Sequence, residues 1–284
     1  MDTIKTISEM VNKVASARAD GQTISFVPTM GFLHQGHLSL LEEGRKRSDL
    51  LILSIFVNPT QFGQGEDFED YPRDLHQDSA LAQQAGVDII FAPTAAEMYP
   101  MGYATYVDVE GITETLCGAS RPGHFRGVCM VVSKLFNIVQ PQVAIFGNKD
   151  FQQLAVIKRM VLDLNMSVEI IGMPIFREAD GLAMSSRNVY LSPDQRRQAL
   201  VLSQSLVQAQ QWVAEGETDC VEIIARLRNN IQKQPDARID YVQICQQLSL
   251  EEQKTIDADS VLLFAVYIGK TRLIDNGFLV SAYD

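Results

Sequence analysis

Short apolar runs alternate with segments of helical periodicity up to about Pro174, and this alternation restricts the fold more than any other feature. The run Leu50–Val57 is nearly unbroken in its apolar character, which is typical of strands covered on both faces. Strands that alternate with helices predict a parallel sheet flanked by helices. The other predicted strands are 24–27, 87–91, 105–109, 143–146 and 168–172, and the predicted helices are 4–19, 38–47, 75–85, 128–139 and 151–164.

The pattern changes after Pro174. Ser192 begins a helix, because Pro193 stands in the first turn and Gln195 completes a capping box. Helices are predicted over 193–214 and 220–233, and strands over 238–245, 260–268 and 271–280. Consecutive strands with few helices between them predict an antiparallel sheet. We therefore expect an α/β protein with a parallel-sheet domain over 1–174 and a smaller C-terminal α+β domain over 175–284.

The composition excludes several classes of protein. The chain has 284 residues, 46% of them hydrophobic, and a net charge of −11. These values are typical of a globular protein, and the acidic balance argues against extended nucleic-acid binding. No run approaches the roughly 18 apolar residues that a membrane span needs, and the first residues lack the pattern of a signal peptide. We therefore expect a cytoplasmic protein.

The cysteines are scattered and form no C-x-x-C pair, so neither a zinc site nor a disulfide framework is predicted. They are Cys117, Cys129, Cys220 and Cys245.

A strand, two glycines, two histidines and a helix start follow one another in 24–38. The free NH groups and positive dipole end of such a helix favour an anion, and Gly31 and Gly36 let a ligand approach the backbone. His34 and His37 would face that ligand, donate hydrogen bonds to phosphate and exchange protons near neutral pH. The alternatives are a polar helix start or half of a metal site.

A second turn of this kind contains Gly147 and Lys149 before the helix predicted from residue 151. A cation at a helix N-terminus opposes the helix dipole, so Lys149 indicates an anion between them. Asp150 and Gln153 also fit a capping box, which would explain the turn without any ligand.

Two further segments carry cations. The segment 118–127 contains Arg121, His124 and Arg126 without a carboxylate, and it is either a local anion site or a solvated basic loop. The segment 180–188 contains two serines and Arg187, and it is either a polar turn or a set of hydroxyl and guanidinium donors for phosphate.

Together these motifs resemble the pantothenate synthetases (pantoate:beta-alanine ligases), a family of the nucleotidylyltransferase superfamily with Rossmann-like folds. His34–His37 is similar to the superfamily's H-x-G-H signature, and Met184–Arg187 is similar to its second signature. The resemblance covers nearly the whole chain, although the C-terminal domain carries less of it. The strings that match the narrower family are 28–31, 56–62, 71–73, 121–127, 149–153 and 185–188, and six strings in order are improbable by chance.

The resemblance implies an ATP-dependent ligation of (R)-pantoate and beta-alanine to pantothenate, a coenzyme A precursor. Pantoate and ATP would give pantoyl-adenylate and pyrophosphate, and beta-alanine would then displace AMP. By the same resemblance, His37 is the proton donor, and His34, Lys149 and Arg187 are the other catalytic residues. The implied ATP-binding residues are Met30, Gly31, Phe32, Leu33, His34, Gln35, Gly36, His37, Gly147, Asn148, Lys149, Asp150, Met184, Ser185, Ser186 and Arg187.

Gln61 and Gln153 are the implied residues for pantoate and beta-alanine, since an amide both donates and accepts hydrogen bonds. Met30 and Phe62 could supply an apolar wall for the two methyl groups of pantoate. Magnesium is expected with ATP, held largely by phosphates and water. Asp78 is a candidate for a protein contact to the ion. The family also suggests a homodimer formed through the N-terminal domain.

Two alternatives stay open. Another adenylyl-transferring enzyme of the superfamily would share both signatures, but it has no need for Gln61 and Gln153 in these settings. A non-catalytic nucleotide-binding regulator would be expected to lack some of the phosphate-contacting residues, all of which are present here.

Overall fold

The first sheet contains six parallel strands in the order β1-β4-β3-β2-β5-β6 in the computed structural model, which describes residues 1–280. Its middle strands are covered on both faces: Leu51 and Leu53 pack into one core and Leu50 and Ile52 into another. This two-sided burial is the reason for the unbroken apolar run. The strands are β1 Asp2–Ile4, β2 Ile24–Thr29, β3 Leu50–Ile55, β4 Ile89–Phe91, β5 Val143–Gly147 and β6 Glu169–Met173.

Helices cover both faces of this sheet. The most apolar of them is α6, whose buried residues include Val128, Val132 and Phe136. The helices up to β6 are α1 Ile7–Ala19, α2 Gln35–Arg47, α3 Leu75–Gln84, α4 Ala95–Met98, α5 Leu116–Ser120, α6 His124–Val139 and α7 Phe151–Asp163.

The order of the strands places a crevice between β2 and β5. From β2 the chain builds β3 and β4 on one side, and it then crosses to build β5 and β6 on the other side. Open parallel sheets bind ligands at the carboxyl ends of strands where the winding direction reverses in this way. The two predicted turns, before α2 and before α7, both lie at this point.

The second sheet is antiparallel, with β8 between β7 and β9. Along β8, Val261 and Leu263 pack against the first sheet's helices, whereas Leu262 and Phe264 pack against the C-terminal helices. The second sheet is therefore covered on both faces and shares one core with the first. Its elements are α8 Pro193–Ala199, α9 Val201–Ala214, α10 Cys220–Ile231, β7 Ala237–Gln246, β8 Ser260–Ile268 and β9 Thr271–Phe278.

The fold class is confirmed, and three local predictions are wrong. Residues 105–109 form no strand, because they are mostly exposed and pair with no neighbour. The helix predicted from residue 4 begins at Ile7, since residues 2–4 pair with β4 as an edge strand. The helix predicted over 193–214 is two helices that meet at Leu200.

The domain division after residue 174 stays a prediction, and its last four residues lie outside the described part of the chain. The four cysteines are free and buried. None of the described helices is both long enough and apolar enough to span a membrane.

Candidate active site

The predicted motifs line one cavity of about 240 Å³ at the carboxyl ends of β2 and β5. The cavity brings together segments that are far apart in sequence, as expected for a ligand site at this point of the sheet. The predicted residues that line it are Met30, His34, Gly36, His37, Gln61, Phe62, Gly147, Lys149, Asp150, Gln153, Met184, Ser185, Ser186 and Arg187.

The two histidines stack at the start of α2, with ring centroids 4.0 Å apart. The backbone NH of His34 donates to Nδ1 of His37 at 3.3 Å. Because Nδ1 accepts, the neutral His37 ring carries its proton on Nε2. A Cβ at Gly36 would lie 3.1 Å from the His34 ring, so this glycine makes room for the stacked pair.

Both imidazoles are neutral near neutral pH. Burial, followed by the Lys149 charge, lowers the pKa of His34 to about 4. Burial also holds the pKa of His37 well below its ordinary value, and His34 and Lys149 lower it further. Nδ1 of His34 is buried and has no hydrogen-bond partner within residues 1–280. Such an atom is costly unless a ligand satisfies it, so the pair is suited to hydrogen bonding with an anionic ligand.

The loop before the histidines is braced by Asp78 of α3. Its carboxylate accepts from the backbone NH groups of Phe32 at 2.9 Å and Leu33 at 2.6 Å. Gly31 and Phe32 both have positive φ, at 83° and 53°, and a Cβ at Gly31 would lie 2.8 Å from the Asp78 carboxylate. Burial raises the pKa of Asp78, while the two amides oppose that rise. The carboxylate therefore holds an unusual backbone conformation in place.

Some predicted residues do not line the cavity. Gly31, Phe32 and Leu33 lie in the loop bound to Asp78, and Gln35 is exposed. The two Asp78 oxygens already accept backbone hydrogen bonds, so its contact with magnesium stays a prediction.

The Lys149 turn is a short 3-10 segment, Asn148–Asp150, that leads directly into α7. The Asp150 side chain does not cap this helix, so the capping-box explanation is wrong. Lys149, Asp150 and Gln153 line the cavity instead. Asn148 does not line it, and a Cβ at Gly172 would clash with its side-chain oxygen.

The Gln61 side chain also lines the cavity and is held by two contacts. Its Nε2 donates to the Met30 sulfur at 3.1 Å, and its Oε1 accepts from Asn58 at 3.2 Å. Asn58 also donates to the carbonyl of Gly127 at 3.0 Å. Apolar side chains of α6 also line the cavity: Val128, Val131, Val132 and Leu135. The apolar face of this helix is visible in the sequence, but its place in the site was missed.

The basic segment 118–127 is only partly in the site. Arg121 and His124 line the cavity, whereas Arg126 is exposed and pairs with Asp108 at 3.4 Å. His124 Nδ1 donates to the carbonyl of Gln61 at 2.8 Å, and its Nε2 lies 3.1 Å from Arg121. Burial, followed by the Arg121 charge, lowers the pKa of His124 to about 4. This histidine therefore positions Gln61 as a neutral ring.

The Ser185–Arg187 segment faces an acidic loop, and sequence reasoning missed this pairing. Arg187 donates two hydrogen bonds to Asp67, both at 2.8 Å, and Arg121 pairs with Glu66 at 2.7 and 2.6 Å. The acidic stretch 65–73 has no apolar periodicity in the sequence. In the structure its carboxylates occupy the guanidinium forks that could otherwise bind phosphate.

Comparisons with known proteins show the family of this chain. The family model described as pantoate-beta-alanine ligase matches residues 2–278. The chain is similar to the pantothenate synthetases of Syntrophotalea carbinolica, at 59% identity with 99% of each chain covered, and of Geotalea daltonii, at 58% identity with 98% and 99% covered.

Solved structures of the same family share the fold. The pantothenate synthetase from Thermus thermophilus superposes with a TM-score of 0.94 at 45% identity, covering 98% of this chain and 99% of that one. The pantoate-beta-alanine ligase from Francisella tularensis, complexed with beta-gamma ATP and beta-alanine, gives 0.81 at 33% identity, with 98% of each chain covered. Because nearly the whole chain matches the family model and the solved structures of this family, the chain belongs to the pantoate-beta-alanine ligase family.

Proposed function

We propose that this protein joins (R)-pantoate and beta-alanine to form pantothenate at the expense of ATP, through a pantoyl-adenylate. The observation that carries the proposal is one cavity lined by two different groups of residues. One group, which we call the phosphate end, is the histidine pair, Lys149 and the Ser185–Arg187 segment. The other group, the substrate end, is Gln61 and the apolar side chains of α6. Membership of the family and the ligand-bound Francisella relative support the same assignment.

The phosphate end would bind ATP. Two helix N-termini, α2 and α7, begin at this end and favour the negative charge of the phosphates. Neutral His34 and His37 would donate hydrogen bonds to phosphate oxygens, and Lys149 would supply a positive charge. Burial keeps the His37 ring neutral near neutral pH, so the ring would act as a hydrogen-bond donor through Nε2. Its role as a proton donor stays a prediction. The backbone of Met30–His37 and Gly147–Asp150 and the side chains of Ser185 and Ser186 would complete the ATP site. Arg187 would contribute through Nη1, because Asp67 accepts from its Nε and Nη2.

The other end would bind pantoate. Gln61 and Gln153 can each donate to one substrate oxygen and accept from another hydroxyl, which suits a molecule with two hydroxyl groups. Met30, Phe62 and the valines of α6 would pack against its two methyl groups. Beta-alanine would enter beside Gln61 after pyrophosphate has left.

The reaction needs no nucleophile from the protein. A carboxylate oxygen of pantoate attacks the α-phosphorus of ATP, and the bond to pyrophosphate breaks. The amine of beta-alanine then attacks the acyl carbon, loses a proton, and AMP leaves with that carboxylate oxygen. The protein would hold the reacting atoms in line and stabilise the charge that passes to pyrophosphate.

Magnesium would accompany ATP. Within residues 1–280 no group of three or more histidine, cysteine or acidic side chains could hold a metal ion. Magnesium beside nucleotides is commonly held mainly by phosphate oxygens and water, and it would be held in that way here. The Asp150 carboxylate lines the cavity and offers one protein oxygen.

We also propose three broader properties. The protein would act in the cytoplasm as a homodimer formed through its N-terminal domain, and residues 175–284 would act as a lid. Apolar side chains on the surface of the first domain, Met101 and Tyr106, support a contact between copies. Sedimentation of the purified protein, with and without substrates, tests both the dimer and a change of shape on closure.

Mass spectrometry of the purified protein with magnesium, ATP and pantoate, with and without beta-alanine, tests the proposed reaction. We expect pyrophosphate in both mixtures and pantothenate with AMP only in the complete one. Bound ATP without pantothenate would overturn the proposed acceptor and leave another adenylyl transfer.

A further inference from the structure

Two adjacent residues of β9, Asp275 and Asn276, form hydrogen bonds from the second sheet to segments beside the cavity. Asp275 and Asn276 are only 2% and 5% exposed. Their backbones pair with Phe264 and Leu263 of β8, the middle strand of that sheet. A buried polar side chain is expected to have hydrogen-bond partners, and here the partners are the Lys149 turn for Asn276 and Arg177, which precedes the Ser185–Arg187 segment, for Asp275.

The Asn276 amide holds the Lys149 turn. Its Nδ2 donates to the carbonyl of Asn148 at 3.0 Å and to the carbonyl of Lys149 at 2.9 Å. These carbonyls belong to successive peptide units, so one planar amide fixes the orientation of both. The direction in which the Lys149 side chain leaves the backbone is fixed with them.

The Asp275 carboxylate holds the segment that leads into the second signature. It accepts from both terminal nitrogens of Arg177, at 2.8 and 2.9 Å. Arg177 also donates to the carbonyl of Gly181 at 3.1 Å, and its backbone pairs with Ala183. Ser185 follows two residues later. The backbone NH of Asn276 donates to the Asp275 carboxylate at 2.8 Å. This bond links the Asp275–Arg177 pair to the contact between Asn276 and the Lys149 turn.

We propose that Asn276 is a positioning residue for Lys149, and that Asp275 and Asn276 together set the spacing between the Lys149 turn and the Ser185–Arg187 segment. Both segments contact the same phosphates under the proposed function, and this inference rests on it. A lysine side chain is long and flexible, so its charge is directed only as well as its backbone is held.

A double-mutant cycle tests this inference through the first half-reaction, pyrophosphate release from ATP and pantoate. Asn276→Asp keeps the shape of the side chain but turns an acceptor toward the two carbonyls. We expect it to lower kcat/KM for ATP about ten- to a hundredfold in the native background. In a Lys149→Ala background it should cost less than about twofold, because the group that it positions is gone.

Two outcomes would overturn the positioning role. One is an equal loss in both backgrounds, which would show that Asn276 acts on something other than Lys149. The other is no loss in the native background. If the unmodified protein releases no pyrophosphate, the proposed function fails. The pKa of His34 in the Asn276→Ala variant then decides the positioning role.

A matched control separates positioning from general loosening of the second sheet. The buried Ser260 of β8 donates to Gln253 at 2.7 Å, away from the cavity. Ser260→Ala should lower stability without changing pyrophosphate release, and an equal loss of release would contradict the proposal.

A readout without activity uses Asn276→Ala, which adds no charge. Lys149 lowers the pKa of His34, so a displaced Lys149 should raise that pKa, measured by NMR titration. An unchanged His34 pKa in the folded variant would contradict the proposal.

Discussion

The two turns at the phosphate end share one construction but are held from different sides. Each follows a strand of the first sheet and begins a helix. The histidine turn is braced by Asp78 of α3, which belongs to the same sheet domain. The Lys149 turn is braced by Asn276 of β9, which belongs to the second sheet.

This difference shows what the second sheet contributes to the site. The histidine turn has its brace as soon as the first sheet and α3 are packed. The Lys149 turn gains its brace only when β9 is docked. The chemical groups of the ATP site lie mostly in the first part of the chain, and the second part sets the geometry of one of them.

The largest expected effect concerns the histidine turn. His37→Ala removes the Nε2 donor, and pyrophosphate release should fall about 100- to 1,000-fold, the range typical of losing one hydrogen-bond donor to a developing charge. The control is Glu42→Ala, an exposed residue of the same helix, which should stay near the unmodified rate. Near-normal adenylate formation by the His37 variant would exclude this histidine from the first step.

The brace of the same turn can be broken directly. Asp78→Asn leaves one oxygen to accept and turns an NH₂ group toward a backbone NH. Because a buried amide loses its partner, the free energy of unfolding should fall by about 1–3 kcal/mol. Urea denaturation measures this change, with the exposed Asp70→Asn as control. Equal stability of the two variants would show that the loop needs no brace from α3.

The substrate end should respond independently of both turns. Gln61→Ala removes the amide that faces pantoate, and KM for pantoate should rise about tenfold, the cost of about one unmet hydrogen bond. KM for ATP should change little. Steady-state kinetics with the exposed Gln64→Ala as control measures both constants. A rise confined to KM for ATP would place Gln61 at the wrong end of the cavity.

The smallest expected effect couples the two turns. Lys149→Gln removes a positive charge near His34, so the pKa of His34 should rise above about 4. It should stay below the ordinary value of about 6.5, because burial is the larger cause of the shift. NMR titration, with the exposed Lys158→Gln as control, measures this change. An unchanged pKa would mean that the turns are electrostatically independent.

The lowered pKa of His34 also makes the stability of the protein depend on pH. A histidine whose folded pKa is lowered contributes stability above its unfolded pKa, and this contribution is lost as the pH falls from about 6.5 toward the folded value. The Lys149→Gln variant should therefore lose less stability on acidification over this window.

The sequence predicts those parts of the molecule that depend on local pattern. Apolar runs indicated the covered strands, and helix periodicity indicated most helices, because both depend on neighbouring residues. The edge strand β1 was missed and residues 105–109 were misassigned, because pairing with a distant strand decides both. The sequence motifs predict that the histidines, Lys149 and Gln61 belong to one ligand site, and all of them line the cavity.

The braces could not be predicted from the sequence. Phe32 and Asp78 are 46 positions apart, and Asn276 is 127 positions from Lys149. An aspartate in a helix or an asparagine in a strand has no pattern that points to a backbone partner so far away. The same is true of the Asp67–Arg187 pair, which is 120 positions apart.

The most direct test of the proposed chemistry follows one oxygen atom. Pantoate labelled with oxygen-18 in its carboxylate is converted with ATP and beta-alanine, and the AMP is analysed by mass spectrometry. Attack of the carboxylate on the α-phosphorus predicts AMP that carries one labelled oxygen, with none in pyrophosphate. Unlabelled AMP would contradict a pantoyl-adenylate and the division of roles between the two ends of the cavity.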